Sequence, residues 1–254
     1  MYARKVGLVV WVLLLTLTSV TSGQDLKTPK EVFEANIEAT GGLEAWNSIK
    51  TMYVKMEMVM DIQQMSLTLS TESWVIKPDY LFSKVKVNDA PPEFPAGAGN
   101  VTAYITPDEG WINSFQGRQD LSSLPAAQRF QYESAMQVKE ELTRLTKPDS
   151  MFVMLESEEF DGSMAYVIEM KGEPNATLFY DHDSLLLVAT KIPSPMGGDP
   201  FVVRSLDYES IDGVKIARST EVDMGSFGSQ TASIRRIELN RDITPEKLAA
   251  MAEE

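Results

Sequence analysis

The sequence predicts an α+β domain in which a large antiparallel sheet packs against a few helices. Three observations lead to this fold class: a helix-capping box at Thr28, a long two-residue alternation that begins at Thr51, and a series of short strand-like segments separated by turn residues. Consecutive strands joined by turns this short must be antiparallel. We therefore expect a large antiparallel sheet that is strongly curved or partly closed, with helices on one face.

The N-terminal segment has the order of a secretory signal peptide. Arg4 and Lys5 form a short basic head, the apolar run Val6–Leu17 follows, and small residues close the segment at Thr18–Gly23. A membrane span needs about 20 apolar residues, and this run is shorter. We expect cleavage of residues 1–23, which leaves residues 24–254 as a single domain.

Two helices are predicted before the first strand. Thr28–Glu31 is a capping box with proline at the first helical position, where its missing N–H costs nothing. Gly41-Gly42 ends this helix, as glycine does where the chain turns left-handed, and a short second helix follows. The residues expected to face a core are Val32, Phe33, Ile37, Leu43, Trp46 and Ile49.

The long alternation determines the geometry of the first hairpin. From Thr51 to Gln63 the even positions are apolar and the odd positions include charged residues, so one face of the strand is apolar. After Gln64 the apolar residues stand at odd positions instead. A turn through Gln63-Gln64 explains this change. This register places Ile62 opposite Met65, Met60 opposite Leu67, and Met58 opposite Leu69.

The rest of the chain alternates between strand-like and turn-like sequence, except for one helical stretch. Leu124–Leu145 has helix-forming composition, and Thr244-Pro245 caps a short terminal helix. The remaining strands are predicted at Glu72–Lys77, Tyr80–Val87, Val101–Thr106, Gly110–Ser114, Met151–Glu156, Ala165–Lys171, Thr177–Asp181, Leu185–Ile192, Phe201–Tyr208, Val214–Val222 and Thr231–Asn240.

Composition excludes several classes of function. The 254 residues contain no cysteine, which rules out a disulfide framework, a thiol nucleophile and cysteine-ligated metal sites. The single histidine, His182, rules out any site that needs two. A formal net charge of −14 argues against nucleic acid as a partner, because affinity there comes mainly from lysine and arginine.

Few residues suggest catalysis. His182 lies in Asp181–Ser184, which we interpret as a hairpin turn, since one histidine beside two aspartates lacks metal-ligand spacing. The carboxylate pairs Glu140-Glu141 and Glu158-Glu159 are interpreted as solvated surface charge. No metal or cofactor is predicted, and a hydrolase using Asp181 or His182 is retained as a minor alternative.

Methionine is concentrated in the first hairpin, with Met52, Met56, Met58, Met60 and Met65. Methionine is flexible and is over-used on apolar surfaces that accommodate varied ligands, whereas valine or isoleucine is usual in a strand that only packs. Composition alone does not distinguish between a face that accommodates lipid and a face that packs in an ordinary core. The candidate ligand-binding residues are Val54, Met56, Met58, Met60, Leu67, Leu69, Phe33, Ile37 and Trp46.

Several blocks of sequence resemble the LolA-like group of outer-membrane lipoprotein-sorting proteins. Each block is short, but together they cover most of residues 30–245 in order. The blocks are Glu38–Ala45, Ile49-Lys50, Asp108–Trp111, Phe160–Gly162, Tyr166–Ile168, Phe179–Asp181, Leu186–Val188, Ser194–Gly197 and Tyr208–Ile216.

This resemblance implies an unclosed antiparallel barrel with helices on its concave side and an apolar cavity that shelters lipid. It implies a non-enzymatic periplasmic binder or carrier of lipid or lipoprotein acyl chains, with inner- or outer-membrane proteins as further partners. The same fold also resembles RseB-like periplasmic sensing domains, so a sensor or adaptor that signals through protein contact is the alternative.

Overall fold

The computed structural model describes residues 25–62, 65–124, 132, 136, 139–172, 175–194 and 197–253. The predicted signal peptide, the turn at Gln63-Gln64 and most of the stretch 125–138 lie outside these residues. The helices are α1 (Pro29–Ala39), α2 (Gly42–Ser48), α3 (Glu140–Arg144) and α4 (Pro245–Glu253). The strands are β1 (Thr51–Ile62), β2 (Met65–Ile76), β3 (Tyr80–Asp89), β4 (Val101–Ile105), β5 (Gly110–Ser114), β6 (Gly117–Asp120), β7 (Phe152–Met154), β8 (Glu158–Phe160), β9 (Ser163–Met170), β10 (Ala176–Asp181), β11 (Leu187–Ile192), β12 (Phe201–Ile211), β13 (Val214–Asp223) and β14 (Gly228–Leu239).

The strands form one antiparallel sheet. Its first and last strands along the chain, β1 and β14, are neighbours near the centre of the sheet. Its order is β6-β5-β4-β3-β2-β1-β14-β13-β12-β11-β10-β9-β7, and β8 pairs with β9 outside this path. The chain runs outward from β1 to the edge at β6, crosses to the other edge at β7, and returns to the centre at β14. The predicted fold class, a large unclosed antiparallel sheet with few helices, is confirmed.

The first hairpin has the predicted register. Ile62 pairs with Met65, Met60 with Leu67, and Met58 with Leu69. On its other side β1 pairs with β14 along its length, with one β-bulge between Lys55 and Met56. We call the face of the sheet that carries Met52, Val54, Met56, Met58 and Met60 the front face, and the opposite face the back face.

Helices α1 and α2 pack on the front face. Phe33 of α1 is buried with Ile168 and Tyr180, over the β9–β10 side of the sheet. Trp46 of α2 is buried with Val214, over the β13–β14 centre. The capping box begins α1 as predicted, since the Glu31 amide donates to Thr28 Oγ1 at 3.3 Å and the Thr28 amide donates to Glu31 Oε2 at 2.9 Å.

The terminal helix lies on the other side of the sheet. Leu248 of α4 is fully buried against Phe82, Tyr104 and Trp111, which belong to the back face. The sequence pattern predicts helices on one face of the sheet only. The difference arises because these aromatic residues give β3, β4 and β5 a second apolar surface that also requires cover. Among the described residues, no helix combines the length and apolar character that crossing a membrane would require.

Three further details differ from the sequence prediction. Two strands were missed: Gly117–Asp120 is exposed throughout and so shows no apolar alternation, and Glu158–Phe160 has three residues. Helix α3 begins at Glu140 because Lys139 has an extended backbone, with φ −147° and ψ 108°. A continuous helix from Leu124 to Leu145 is therefore wrong.

The junction between α1 and α2 touches the turn between β12 and β13. The Lys215 amide donates to the Thr40 carbonyl oxygen at 2.8 Å. Gly41 has φ +125°, and a Cβ there would lie 2.4 Å from the Gly213 carbonyl oxygen. Both the left-handed backbone and the close approach require glycine.

We predict that Gly41→Ala destabilises the protein more than Gly213→Ala. Gly213 has φ +87° with open space around its Cβ position, so alanine there costs the left-handed backbone penalty alone, about 1–2 kcal/mol. Gly41→Ala adds a steric term of about 1–3 kcal/mol. Urea unfolding of both variants measures the difference. Equal losses of unfolding free energy would contradict the close approach.

Candidate functional site

The methionine residues of β1 form the centre of an apolar strip on the front face. We define the methionine strip as Val54, Met56, Met58 and Met60 of β1 with Leu67 and Leu69 of β2 and Ile234 of β14. Met56 pairs with Ile234, and Met58 and Met60 pair with Leu69 and Leu67. The structure therefore brings six of the nine predicted ligand-binding residues onto one continuous surface.

The strip is incompletely covered although it lies at the centre of the sheet. Met56, Met58, Met60 and Leu69 are all half-buried, while Leu67 retains 7% exposure. By contrast, Met52 at the start of the same strand packs into two core clusters, one of them with Trp46. All four methionines of β1 are partly buried, but Met52 packs against the core clusters, whereas Met56, Met58 and Met60 belong to none of them.

The other three predicted residues are core residues. Phe33, Ile37 and Trp46 are 1%, 3% and 2% exposed, respectively. Trp46 also donates through Nε1 to Thr40 Oγ1 at 3.1 Å. Phe33 packs in a different cluster from Ile37 and Trp46. These three side chains hold α1 and α2 on the sheet beside the strip.

Beneath α1 lies a buried ionic network that the sequence analysis missed. Arg144 Nη1 donates to Glu141 Oε1 at 2.8 Å and to the Tyr180 hydroxyl at 3.0 Å. The Tyr180 hydroxyl in turn donates to the same Glu141 oxygen at 2.9 Å. Lys139 Nζ lies 2.8 Å from Glu141 Oε2 and donates to Asn36 Oδ1 of α1 at 2.5 Å. Interpreting Glu141 as surface charge was therefore wrong, because its side chain is 4% exposed.

The network alters the protonation of its members. Burial alone would raise the pKa of the Glu141 carboxyl, but the charges of Lys139 and Arg144 outweigh burial and hold that pKa below its ordinary value. Burial lowers the pKa of the Lys139 ammonium, which Glu141 only partly offsets. Burial also raises the pKa of the Tyr180 hydroxyl well above its usual range. Glu141 is therefore ionised and Tyr180 neutral at pH 7.

The turn that carries His182 is confirmed. Asp181 Oδ1 accepts hydrogen bonds from the Ser184 amide at 2.7 Å and the Ser184 hydroxyl at 2.6 Å, which stabilises the turn backbone. The His182 ring stacks on Tyr166 with 3.9 Å between ring centroids, and Nε2 lies 3.0 Å from Ser157 Oγ. Over the described part of the chain, no group of three His, Asp or Glu side chains is arranged to hold a metal ion.

Comparison with known proteins identifies the fold. No protein-family profile and no curated sequence matches the chain. A DUF1329 family protein from Desulfovibrio piger superimposes with a TM-score of 0.61 and 12% identity, covering 90% of this chain and 100% of that one. A putative outer membrane lipoprotein-sorting protein domain from Vibrio parahaemolyticus gives 0.55 and 13%, covering 88% and 97%. A LolA superfamily protein from Nitrosomonas europaea gives 0.56 and 13%, covering 87% and 97%.

These similarities establish a LolA-like fold for the chain. The identities of 12–13% are too low to transfer an activity or a ligand. The resemblance found in the sequence blocks is confirmed at the level of the fold.

We predict that Glu141→Gln destabilises the protein by about 3–5 kcal/mol, because it removes the buried counter-charge that Lys139 and Arg144 share. Glu140→Gln is the matched control. Glu140 also pairs with Arg144, but its side chain is 56% exposed, so its loss should cost less than about 1 kcal/mol. Chemical denaturation at pH 7 distinguishes the two variants, and equal costs would show that the network contributes little.

Comparison of the wild type with Glu141→Gln also tests the titration of Glu141. Because its pKa is lowered on folding, Glu141 stabilises the native state above its unfolded pKa, about 4.3. That contribution is lost as pH falls through the folded pKa. We expect the unfolding free energy of the wild type to fall more steeply below pH 5 than that of Glu141→Gln. Parallel pH profiles would contradict the assigned direction.

Proposed function

We propose that this protein is a non-enzymatic periplasmic binder or carrier of the acyl chains of lipids or lipoproteins. The observation that carries the proposal is the methionine strip at the centre of the front face, whose methionines are only partly buried. The LolA-like fold supports it as an analogy, since a solved structure of this fold is described as a putative outer membrane lipoprotein-sorting domain.

The chemistry of the strip suits a flexible apolar ligand. A contiguous set of apolar side chains that stay only partly buried is a candidate contact surface for a partner, a ligand or a membrane. Three of the side chains at its centre are methionines, whose unbranched thioethers adapt to ligands of different shape. The carboxylates Glu57 and Asp61 lie at the intervening positions of β1 and so belong to the back face.

The dimensions of the strip also fit an acyl chain. From Val54 to Met60 the strand extends about 20 Å at about 3.3 Å per residue. One acyl chain occupies half of the hydrocarbon core of a bilayer, about 15 Å. Each buried methylene contributes about 0.8 kcal/mol, so contact with the strip would supply affinity without any covalent chemistry.

We predict that the double substitution Met56→Asp/Met58→Asp lowers affinity for a fluorescent fatty-acyl probe by at least tenfold, because two carboxylates would have to be desolvated against the chain. Val59→Asp is the matched control: Val59 lies between Met58 and Met60 and is half-buried on the back face. Binding is measured by fluorescence titration and folding by thermal unfolding. Unchanged probe binding in a folded double variant would exclude the strip as the site.

The ligand itself is best identified with residues 24–254 purified from the native host compartment. Native mass spectrometry should detect a bound lipid or acylated protein that the double variant lacks. A protein that is empty, takes up no acyl probe, and cross-links to a membrane protein would contradict the carrier proposal and favour the sensor or adaptor alternative.

A further inference from the structure

Arg218 occupies an unusual position at the side of the methionine strip. It lies on β13 between Ile216, which packs with the core around Trp46, and Thr220, which pairs with Ala232 of β14. Ala232 is in turn the partner of Met58. Because side chains alternate along a strand, Arg218 shares the front face with the strip.

Among the described strands, Arg218 is the one basic residue at a front-face position. The others project from the back face or, for Arg235, lie at the β-bulge and pair with Glu57 of the back face. Arg204 illustrates the back face well, since its Nε lies 2.9 Å from Asp161 Oδ2 and its guanidinium faces the Phe160 ring. The remaining members of this back-face set are Lys55, Lys84, Lys86, Arg118, Lys191, Lys215 and Arg236.

The contacts of Arg218 fix its guanidinium next to the strip. Nη2 donates to the carbonyl oxygen of Ile234 at 2.9 Å, and Ile234 is the cross-strand partner of Met56. Nε lies 3.4 Å from Glu209 Oε2. The Arg218 side chain is 25% exposed and that of Glu209 is 60% exposed.

The pair with Glu209 is weak enough to be exchanged. An exposed ion pair at this distance contributes little to stability. A guanidinium has five N–H donors in a planar fork that matches the oxygens of a carboxylate or phosphate. A bound anion can therefore take the place of Glu209 while the bond from Arg218 to the Ile234 carbonyl is kept.

We propose that Arg218 binds the anionic head group, a phosphate or carboxylate, of a lipid whose acyl chain lies along the methionine strip. The inference rests on the proposed function and adds the ligand class: an anionic amphiphile rather than a neutral one. An apolar strip with a single guanidinium at its side matches a ligand with one long apolar chain and one negative head. Glu209 is then the internal competitor that holds the guanidinium when no lipid is bound.

The test compares two lipids with the same acyl chain, lysophosphatidylglycerol and the neutral monoacylglycerol, by isothermal titration below their critical micelle concentrations. Glycerol 3-phosphate serves as a head group without a chain. The wild type should prefer the anionic lipid by at least about tenfold, the scale of a charge-assisted hydrogen bond. Glycerol 3-phosphate should bind far more weakly than either lipid.

Three variants assign the preference to Arg218. Arg218→Gln should reduce the preference for lysophosphatidylglycerol over monoacylglycerol to less than about threefold, while monoacylglycerol binding is retained. Arg218→Lys should keep part of it, because the charge remains without the planar fork. Glu209→Gln should strengthen binding of lysophosphatidylglycerol about threefold, because the competing carboxylate is gone; a merely structural role for Arg218 predicts no gain. Arg204→Gln is the matched control and should change neither affinity.

The outcomes separate this inference from the proposed function. Equal binding of both lipids by the wild type would overturn the role of Arg218 and leave acyl binding intact. Glycerol 3-phosphate binding as tightly as the lysolipid would overturn the lipid assignment in favour of a free phosphate. Binding of neither lipid would refute the proposed function, and the inference with it.

Discussion

The pairing of β1 between β2 and β14 is the constraint on which both the core and the candidate site depend. At its start β1 packs Met52 against the core cluster that contains Trp46, and further along it places Met56, Met58 and Met60 on the methionine strip. All of these residues have even numbers, so a shift of one residue would exchange them for neighbours such as Lys55 and Glu57. The two ladders that fix this register therefore define the packed interior and the apolar surface together.

The front face combines two different physical environments. Beneath α1 the side chains are buried and partly charged, and Glu141, Arg144 and Tyr180 satisfy one another's hydrogen bonds. Such a network favours one arrangement, because every displaced member leaves a buried polar group without a partner. The methionine strip is apolar and only partly buried, and its contacts have no directional requirement. The network under α1 therefore constrains the directions of its side chains, whereas the apolar contacts of the methionine strip do not.

The features that a local sequence pattern determines could be predicted from the sequence. The features that depend on contacts between residues far apart in the chain could not. The alternation in β1 predicts the methionine strip, and the capping box at Thr28 predicts the start of α1. Each depends on neighbours within a few residues of the chain. The burial of Glu141 depends on Tyr180, which is 39 residues away, so no local signal distinguishes it from Glu140. Arg218 was missed for a related reason: a lone arginine in a strand is usually solvent-facing, and only the ladder through Ala232 to Met58 shows its face.

The sheet has two ends, β6 and β7, and this openness has a mechanical consequence. In a closed barrel the strand number and stagger fix the radius, so the interior has one size. A sheet that ends freely has no such closure condition, and its curvature is the sum of small twists between neighbouring strands. A change of a few degrees at each junction, with every hydrogen bond kept, would widen or narrow the space in front of the central strands. The space in front of the central strands can therefore change in size without the loss of a hydrogen bond between strands.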